Sequence, residues 1–429
     1  MKLLDQLTRP RQLTKALAAA HNLVSERGEA NGSSMAQELI SQYQLLDEEQ
    51  RNVFYTALAE KFSPDPAGVV KAAQAYAKEP SALNLIALTK AAEAPRQELF
   101  RRMNRAPGGT KAALTMRREL LRLLDKRPDL AALDYDIRHL LSSWFNPGFL
   151  KMHQVDWRSP AHVLEKIIQH EAVHAIDGWD DLRRRLQPDR RCFAFFHPQL
   201  PDEPLIFVEV ALLTEIPSAI APLVDKKSLP SATQKFKVAV FYSISNCEAG
   251  LRGVSMGNFL IKRVAEHLKA EFASLSTFVT LSPIPGFIDW LTRSPNLNEV
   301  EVPLATRTRF EHALETLQLK NKTWAQRLSE GWTPDKSSAK EREALTSLCA
   351  LYLTIFSTRR GGSPVAKFHL GNGAELYRLN WAADLSKKGL KESAGLMVNY
   401  LYNLGAVEEN HGHFAQGQVI HARAVAKLI

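Results

Sequence analysis

From residue 1 to about 185 the apolar positions recur at helical spacing, and nowhere do they alternate as strands do. Val53, Phe54, Ala57, Leu58 and Phe62 form one such stripe, opened by Asp47 with Gln50 three residues on, the spacing of a capping box. Pro64 and Pro66 end it. Helices over Ala67 to Ala77 and Ser81 to Ala94 are predicted next, punctuated by Pro80 and Pro95. After the Pro107-Gly108-Gly109 turn, Leu114, Leu120, Leu121 and Leu124 place a helix over Lys111 to Lys126. Ser159-Pro160 starts one more, with proline at a favoured first helical position, running to about Ile176.

The texture changes at Arg191. Cys192 to Phe196, Leu205 to Leu212, Lys237 to Ser245 and Thr277 to Leu281 are short and rich in β-branched and aromatic residues, as strands are. Pro198 to Pro204 reads as a hairpin or loop. A helix from the Arg252 loop to about Phe272 sits between the third and fourth strands, a βαβ step. Asn296 to about Ser357 turns helical again and reads as an insertion. The expected fold class is α+β: a helical bundle over 1–185 that serves as scaffold or oligomerisation surface, then a mixed α/β catalytic domain over 186–429 with a helical insertion.

Composition narrows the classes. A chain of 429 residues with 45% hydrophobic and 24% charged content is an ordinary globular protein, long enough for two domains. No run of about 18 apolar residues predicts a membrane span. The N-terminus lacks a long apolar segment of the secretory kind, and the chain ends Ala426-Lys427-Leu428-Ile429, not Ser-Lys-Leu. Cys192, Cys247 and Cys349 are too sparse for a disulfide framework, which fits a reducing cytoplasm. The formal charge of +9 invites a nucleic-acid partner. Basic residues scattered beside acids fit a polyanionic small molecule better, so neither nucleic acid nor membrane is expected as a partner.

Four stretches carry candidate chemistry. His170-Glu171-Ala172-Val173-His174 matches the H-E-x-x-H pattern, which on a helix would set two histidines on one face for zinc with the glutamate as base. No third ligand follows at a familiar distance, and the commoner role of such a segment is helix packing. Arg252-Gly253-Val254-Ser255-Met256-Gly257-Asn258 lies between a strand and a helix, where free backbone N–H groups attract phosphate. It is similar to the pyrophosphate-binding turn of the acyl-CoA N-acyltransferase fold, although two glycines also suit an ordinary βα turn. Ser282 precedes Pro283, which biases its backbone to extended geometry. His369 stands between an apolar run and Gly371-Asn372-Gly373. Taken alone, a serine or histidine in such a setting is more commonly structural, and neither lies in a nucleophile elbow.

Together these pieces resemble the malonyl-CoA decarboxylase family. The resemblance rests on Ser143-Trp144-Phe145-Asn146-Pro147-Gly148-Phe149-Leu150, Glu171-Ala172-Val173-His174 and Phe241-Tyr242-Ser243-Ile244-Ser245. It continues through Gly257 to Lys262, Leu281 to Phe287, Pro364 to Leu370 and Asn399-Tyr400, covering roughly residues 40 to 405. It implies an acyl-CoA N-acyltransferase-like catalytic domain, conversion of malonyl-CoA to acetyl-CoA and CO2, no metal and no separate cofactor, the CoA being part of the substrate. It places the family's serine and histidine on Ser282 and His369 and its CoA loop on Arg252 through Asn258. Ser243 and Tyr402 match further pocket residues, and Asn372 is a candidate to orient the imidazole or the thioester. Ser255 stands where some members carry glutamate, so no role for that carboxylate carries over. A homo-oligomer, dimer or tetramer, is expected. Three other classes stay open: an acyl-CoA-dependent acyltransferase on the same fold, a catalytically silent helical or nucleic-acid-binding scaffold, and a zinc hydrolase built on the H-E-x-x-H stretch.

Overall fold

The computed structural model describes residues 2–25, 31–231, 235–254, 260–293, 295, 297, 302–317, 323–357, 359 and 362–429. The chain divides into two compact units. The first comprises Met1–Lys151, Phe196–Pro204 and Glu248–Met256, and the second Met152–Phe195, Leu205–Cys247 and Gly257–Ile429.

Eight α-helices make up most of the first unit: α1 (Lys2–Val24), α2 (Gly32–Gln44), α3 (Glu48–Lys61), α4 (Pro66–Lys78), α5 (Ala82–Ala92), α6 (Pro95–Asn104), α7 (Gly109–Leu123) and α8 (Ala131–Trp144). Their starts follow local chemistry. The Asp47 carboxylate accepts from the Gln50 amide at 2.9 Å while the Gln50 side chain accepts from the Asp47 amide at 3.0 Å, closing the capping box of α3. Pro66 occupies the first turn of α4, and Ser81 caps α5. Phe54, Leu58, Leu99, Phe100, Leu114, Leu120, Leu133 and Ile137 are buried together in the core of this unit. By contrast α4 and α5 bury no residue at all, and Val70, Leu83, Leu85 and Ile86 are exposed on them. The Glu248–Val254 turn is tied into the same unit: Arg117, itself buried, donates to the Gly250 carbonyl at 2.6 Å and pairs with Asp134 at 2.9 Å.

The second unit is built on a mixed sheet of β1 (Lys151–Val155), β2 (Arg190–His197), β3 (Leu200–Leu213), β4 (Val238–Asn246), β5 (Thr277–Thr280), β6 (Ser282–Pro283), β7 (Glu375–Asn380) and β8 (Met397–Leu401). Its order is β1-β2-β3-β4-β5-β8-β6, with β7 also on β8. The expected loop over Pro198 to Pro204 is shorter than predicted, because β3 already starts at Leu200. β4 and β5 run parallel through α12 (Leu260–Glu271), the predicted crossover, whose Ile261, Val264 and Leu268 face inward. β8 is antiparallel to β5, β6 and β7, so three strands fix its register. A core of Val240, Tyr242, Val279, Leu281 and Met397 packs behind it.

Preceding the sheet's main strands are α9 (Ala161–His170) and α10 (Gly178–Arg185), and α11 (Ala221–Val224) joins β3 to β4. Beyond β6 come α13 (Phe287–Thr292) and the helical insertion: α14 (Leu304–Leu317), α15 (Trp324–Ser329) and α16 (Ala339–Leu351), the last running into a π-helical turn over Tyr352–Phe356. Trp290 packs within 5.2 Å of Tyr352 and 5.1 Å of Phe356, ring centre to ring centre. The Tyr352 hydroxyl donates to the Pro285 carbonyl at 3.3 Å, so this turn braces the loop that follows Ser282. The chain finishes with α17 (Pro364–Gly371), α18 (Lys387–Ser393), α19 (Val407–Ala415) and α20 (Arg423–Ala426). The fold is α+β. Among the described residues no helix is long and apolar enough to cross a membrane.

Candidate active site

His369 is carried by α17. Ser363 caps that helix by accepting from the Ala366 amide, and Pro364 occupies its first turn, both ordinary helix-start choices. The helix must stop after one more turn, because Gly373 has φ of 77° and a Cβ there would lie 1.9 Å from the Val407 carbonyl oxygen. Ser282 sits on β6, where it pairs with Val398 of β8. These two elements bring the buried side chains together: Ser282 Oγ lies 3.1 Å from His369 Nε2, although 87 residues separate them in sequence.

Residues at and beside the sheet contact much of the imidazole. Its Nδ1 lies 2.9 Å from the Tyr402 hydroxyl. Its face stacks on Tyr400 at 4.7 Å, and Phe368 meets it edge-on at 5.1 Å. Burial pushes the His369 pKa down to about 3. Burial likewise raises Tyr402 and Tyr400 well above the usual phenol range. Ser282 Oγ donates to Thr280 Oγ1 at 2.9 Å, and Thr280 Oγ1 also accepts from the Tyr400 amide at 3.1 Å.

A cavity of about 320 Å³ opens beside this pair, lined by Ile206, Phe241 to Ile244, Ser282, Pro283, Val365, Phe368 and His369 among others. None of the described residues that line it is lysine or arginine. Ser243 reaches it from β4. The Ser243 hydroxyl donates to Glu171 Oε2 at 2.7 Å, and Ser245 donates to the same oxygen at 3.2 Å.

That glutamate belongs to the H-E-x-x-H stretch, where the structure corrects the prediction. The helix expected to reach Ile176 ends at His170, and Glu171 has φ of −65° and ψ of 107°. His170 and His174 therefore do not share a helix face. The cause is the carboxylate, which turns inward: Oε1 accepts from the Val173 and His174 amides, both at 2.8 Å, and Oε2 takes the two serine hydroxyls. Four donors on one carboxylate outweigh another helical turn.

The remaining candidates separate. Tyr402 touches the imidazole and Ser243 lines the cavity. Asn372 does not line it; its amide donates back to the Phe368 carbonyl at 2.6 Å and closes the end of α17. Arg252, Gly253 and Val254 belong to the first unit, where Gly253 turns with φ of 77° beside the Arg138 side chain. Ser255, Met256, Gly257 and Asn258 lie outside the described residues. Thr280 and Tyr400 were not legible as site residues, because strand register joins them across 120 residues, and Glu171 was legible only as a candidate zinc-site base, its serine partners lying more than 70 residues away.

An α+β protein with a buried serine–imidazole pair beside a small, largely apolar cavity is of the class that binds a small molecule out of water. The chain belongs to the malonyl-CoA decarboxylase family: the model of the family's C-terminal domain matches residues 148–429 and that of its N-terminal domain residues 62–145. It is 40% identical over 322 residues to the mitochondrial malonyl-CoA decarboxylase of Rattus norvegicus, covering 71% of this chain and 65% of that protein. Against the corresponding protein of Anser anser anser it is 38% identical over 334 residues, 73% of this chain and 64% of the relative. The matched region thus spans just under two thirds of these curated relatives. The crystal structure of malonyl-CoA decarboxylase from Rhodopseudomonas palustris is 45% identical and superposes with a TM-score of 0.82, over 97% of this chain and 99% of that one.

Proposed function

We propose that the protein is a carboxy-lyase that converts malonyl-CoA to acetyl-CoA and CO2. The observation that carries this reading is the 3.1 Å approach of Ser282 Oγ to His369 Nε2 at the wall of a cavity with no lysine or arginine among its described lining residues, in a chain of this family. In the reaction, the bond from the methylene carbon to the carboxylate breaks. Its electron pair moves into the thioester carbonyl, CO2 leaves, and the resulting enolate takes one proton at carbon. The thioester is the electron sink, so the scheme needs no cofactor, and the CoA is part of the substrate.

Each residue has a part in that sequence. A carboxylate held among the described lining residues, none of them lysine or arginine, gains as its charge spreads into the enolate. The same carboxylate, brought beside His369, favours the imidazolium that the surrounding side chains disfavour. His369 thus takes up a proton with the substrate and delivers it, directly or through Ser282, to the methylene carbon. That balances the one proton the reaction consumes. Ser282 also serves as a fixed hydrogen-bonding group at the developing charge, for which orientation set in advance matters most. Ser243 shapes the cavity wall, Tyr402 holds the ring, and Asn372 secures the helix end that presents it. The loop Arg252 through Asn258 is proposed to bind the CoA diphosphate, in keeping with the family resemblance.

The test is incubation of purified protein with malonyl-CoA alone. CO2 release with one equivalent of acetyl-CoA, lost in Ser282→Ala and His369→Gln, is the expected result. Turnover that requires an amine acceptor would instead identify an acyltransferase. A homo-oligomer is proposed as well, supported by the exposed Val70, Leu83, Leu85 and Ile86 on α4 and α5. Sedimentation at the mass of a single chain would exclude it. The sparse cysteines Cys192, Cys247 and Cys349 support a reducing, cytoplasmic setting.

A further inference from the structure

We infer that Thr280 is a positioning residue of the site, whose hydroxyl oxygen sets the tautomer and the proton direction of His369. This rests on Ser282 and His369 being the reacting pair. Thr280 is fully buried at the end of β5. Its Oγ1 accepts the Tyr400 amide hydrogen at 3.1 Å, and a backbone N–H can only donate. The second lone pair accepts the Ser282 hydroxyl hydrogen at 2.9 Å.

The rest follows from counting hydrogens. A serine hydroxyl has one. With that one committed to Thr280, Ser282 Oγ can only accept from His369 Nε2, 3.1 Å away. The neutral imidazole therefore carries its hydrogen on Nε2. Its Nδ1 is then the acceptor, and the Tyr402 hydroxyl, 2.9 Å away, is the donor. The hydrogens run in one direction along the chain Tyr402, His369, Ser282, Thr280. Nε2–H is thereby aimed at Ser282, which lines the cavity, before any substrate arrives. When the ring takes its second proton, that proton goes to Nδ1, and the Tyr402 hydroxyl rotates from donor to acceptor. The Nε2 hydrogen stays in place for delivery.

The experiment compares the full-length protein with Thr280→Val and Thr280→Ser, using histidine labelled with nitrogen-15. Long-range proton–nitrogen correlation distinguishes the two tautomers, and His369→Gln identifies the peaks by their loss. The wild type is expected to show the Nε2–H form. Thr280→Val, which keeps the shape and removes the acceptor, should show a mixture and lose about tenfold in kcat with little change in KM. Thr280→Ser restores the oxygen and should recover both. A wild-type Nδ1–H form overturns the inference. So does a Thr280→Val enzyme with native spectrum and kcat, or a Thr280→Ser enzyme with a native melting midpoint that loses as much activity as Thr280→Val. Should Thr280→Val fail to fold, the wild-type and Thr280→Ser spectra still decide. A wild-type Nε2–H spectrum that changes in Thr280→Val, in a protein releasing no CO2 from malonyl-CoA, would leave Thr280 in this role and reject the decarboxylase reading instead.

Discussion

Glu171 offers a quantitative test of how the site is held. The perturbations are Glu171→Gln and Glu171→Ala. The carboxylate is buried and accepts four hydrogens: two backbone amides at 2.8 Å, Ser243 at 2.7 Å and Ser245 at 3.2 Å. Glutamine keeps the oxygen that serves the amides. It replaces the other oxygen with an NH2 group, so both hydroxyls must turn round to accept, and the Ser243 and Ser245 hydrogens both need new partners. Trading two charge-assisted bonds for neutral ones costs about 2 kcal/mol. Alanine strands all four donors. Ser243 and Ser245, 3.3 Å apart, can satisfy one hydroxyl between them, which leaves three, at ~1–1.5 kcal/mol each, or about 4 kcal/mol in all. At about 2 °C per kcal/mol for a protein of this size, the melting midpoint should fall by ~4 °C for glutamine and ~8 °C for alanine. Differential scanning calorimetry at pH 7 is the assay, paired with CO2 release before and after chelator treatment. Midpoints of both variants within about 1 °C of wild type would refute the four-donor account. Native midpoints with chelator-sensitive activity would return Glu171 to the role of a zinc-site base.

Gly373→Ala should lower both the melting midpoint and turnover: the left-handed backbone costs ~1 kcal/mol in a residue with a Cβ, and the new methyl meets the Val407 carbonyl at 1.9 Å, so α17 and α19 must part. A native midpoint would show that the turn relaxes freely. On acidification, the folded state should lose stability below pH ~6.5, the pKa of a free imidazole. His369 is held near 3 and His174 near 4, chiefly by burial, so between these values and 6.5 the unfolded chain binds more protons and stability rises with pH. That contribution is fully present above pH ~6.5 and declines by up to ~1.4 kcal/mol per pH unit for each histidine as pH falls. His369→Gln removes one share, so the stability gap between wild type and variant should narrow from pH 7.5 to 4.5. A constant gap would contradict the buried neutral ring.

What was legible in the sequence was local. The capping box at Asp47 and Gln50, the prolines that end or open helices, and the parallel step from β4 to β5 each follow from residues a few positions apart. Ser282 and His369 were legible only through family resemblance, since neither segment carries a signal of the other. The His170–His174 stretch went the other way. Its spacing argued for a helix, but the donors on β4 that draw Glu171 inward lie 72 and 74 residues downstream. The helix presenting His369 had its start signal in Ser363-Pro364, while Gly371-Asn372-Gly373 drew attention to a turn. Thr280 and Tyr400 matter through strand pairing, which no short pattern encodes.

β8 is hydrogen-bonded to β5, β6 and β7 and carries Asn399 and Tyr400 on opposite faces, with Tyr402 just past its end. Because neighbouring side chains on a strand point to opposite faces, a single-residue deletion in β8 would swap the two sets and put an amide where the ring now stacks. Sequence drift in this strand is therefore free to exchange the stacking ring at Tyr400 for another aromatic, but not to change the strand's length. The ladder aligns the proton path that the Tyr402 and Thr280 hydroxyls then complete.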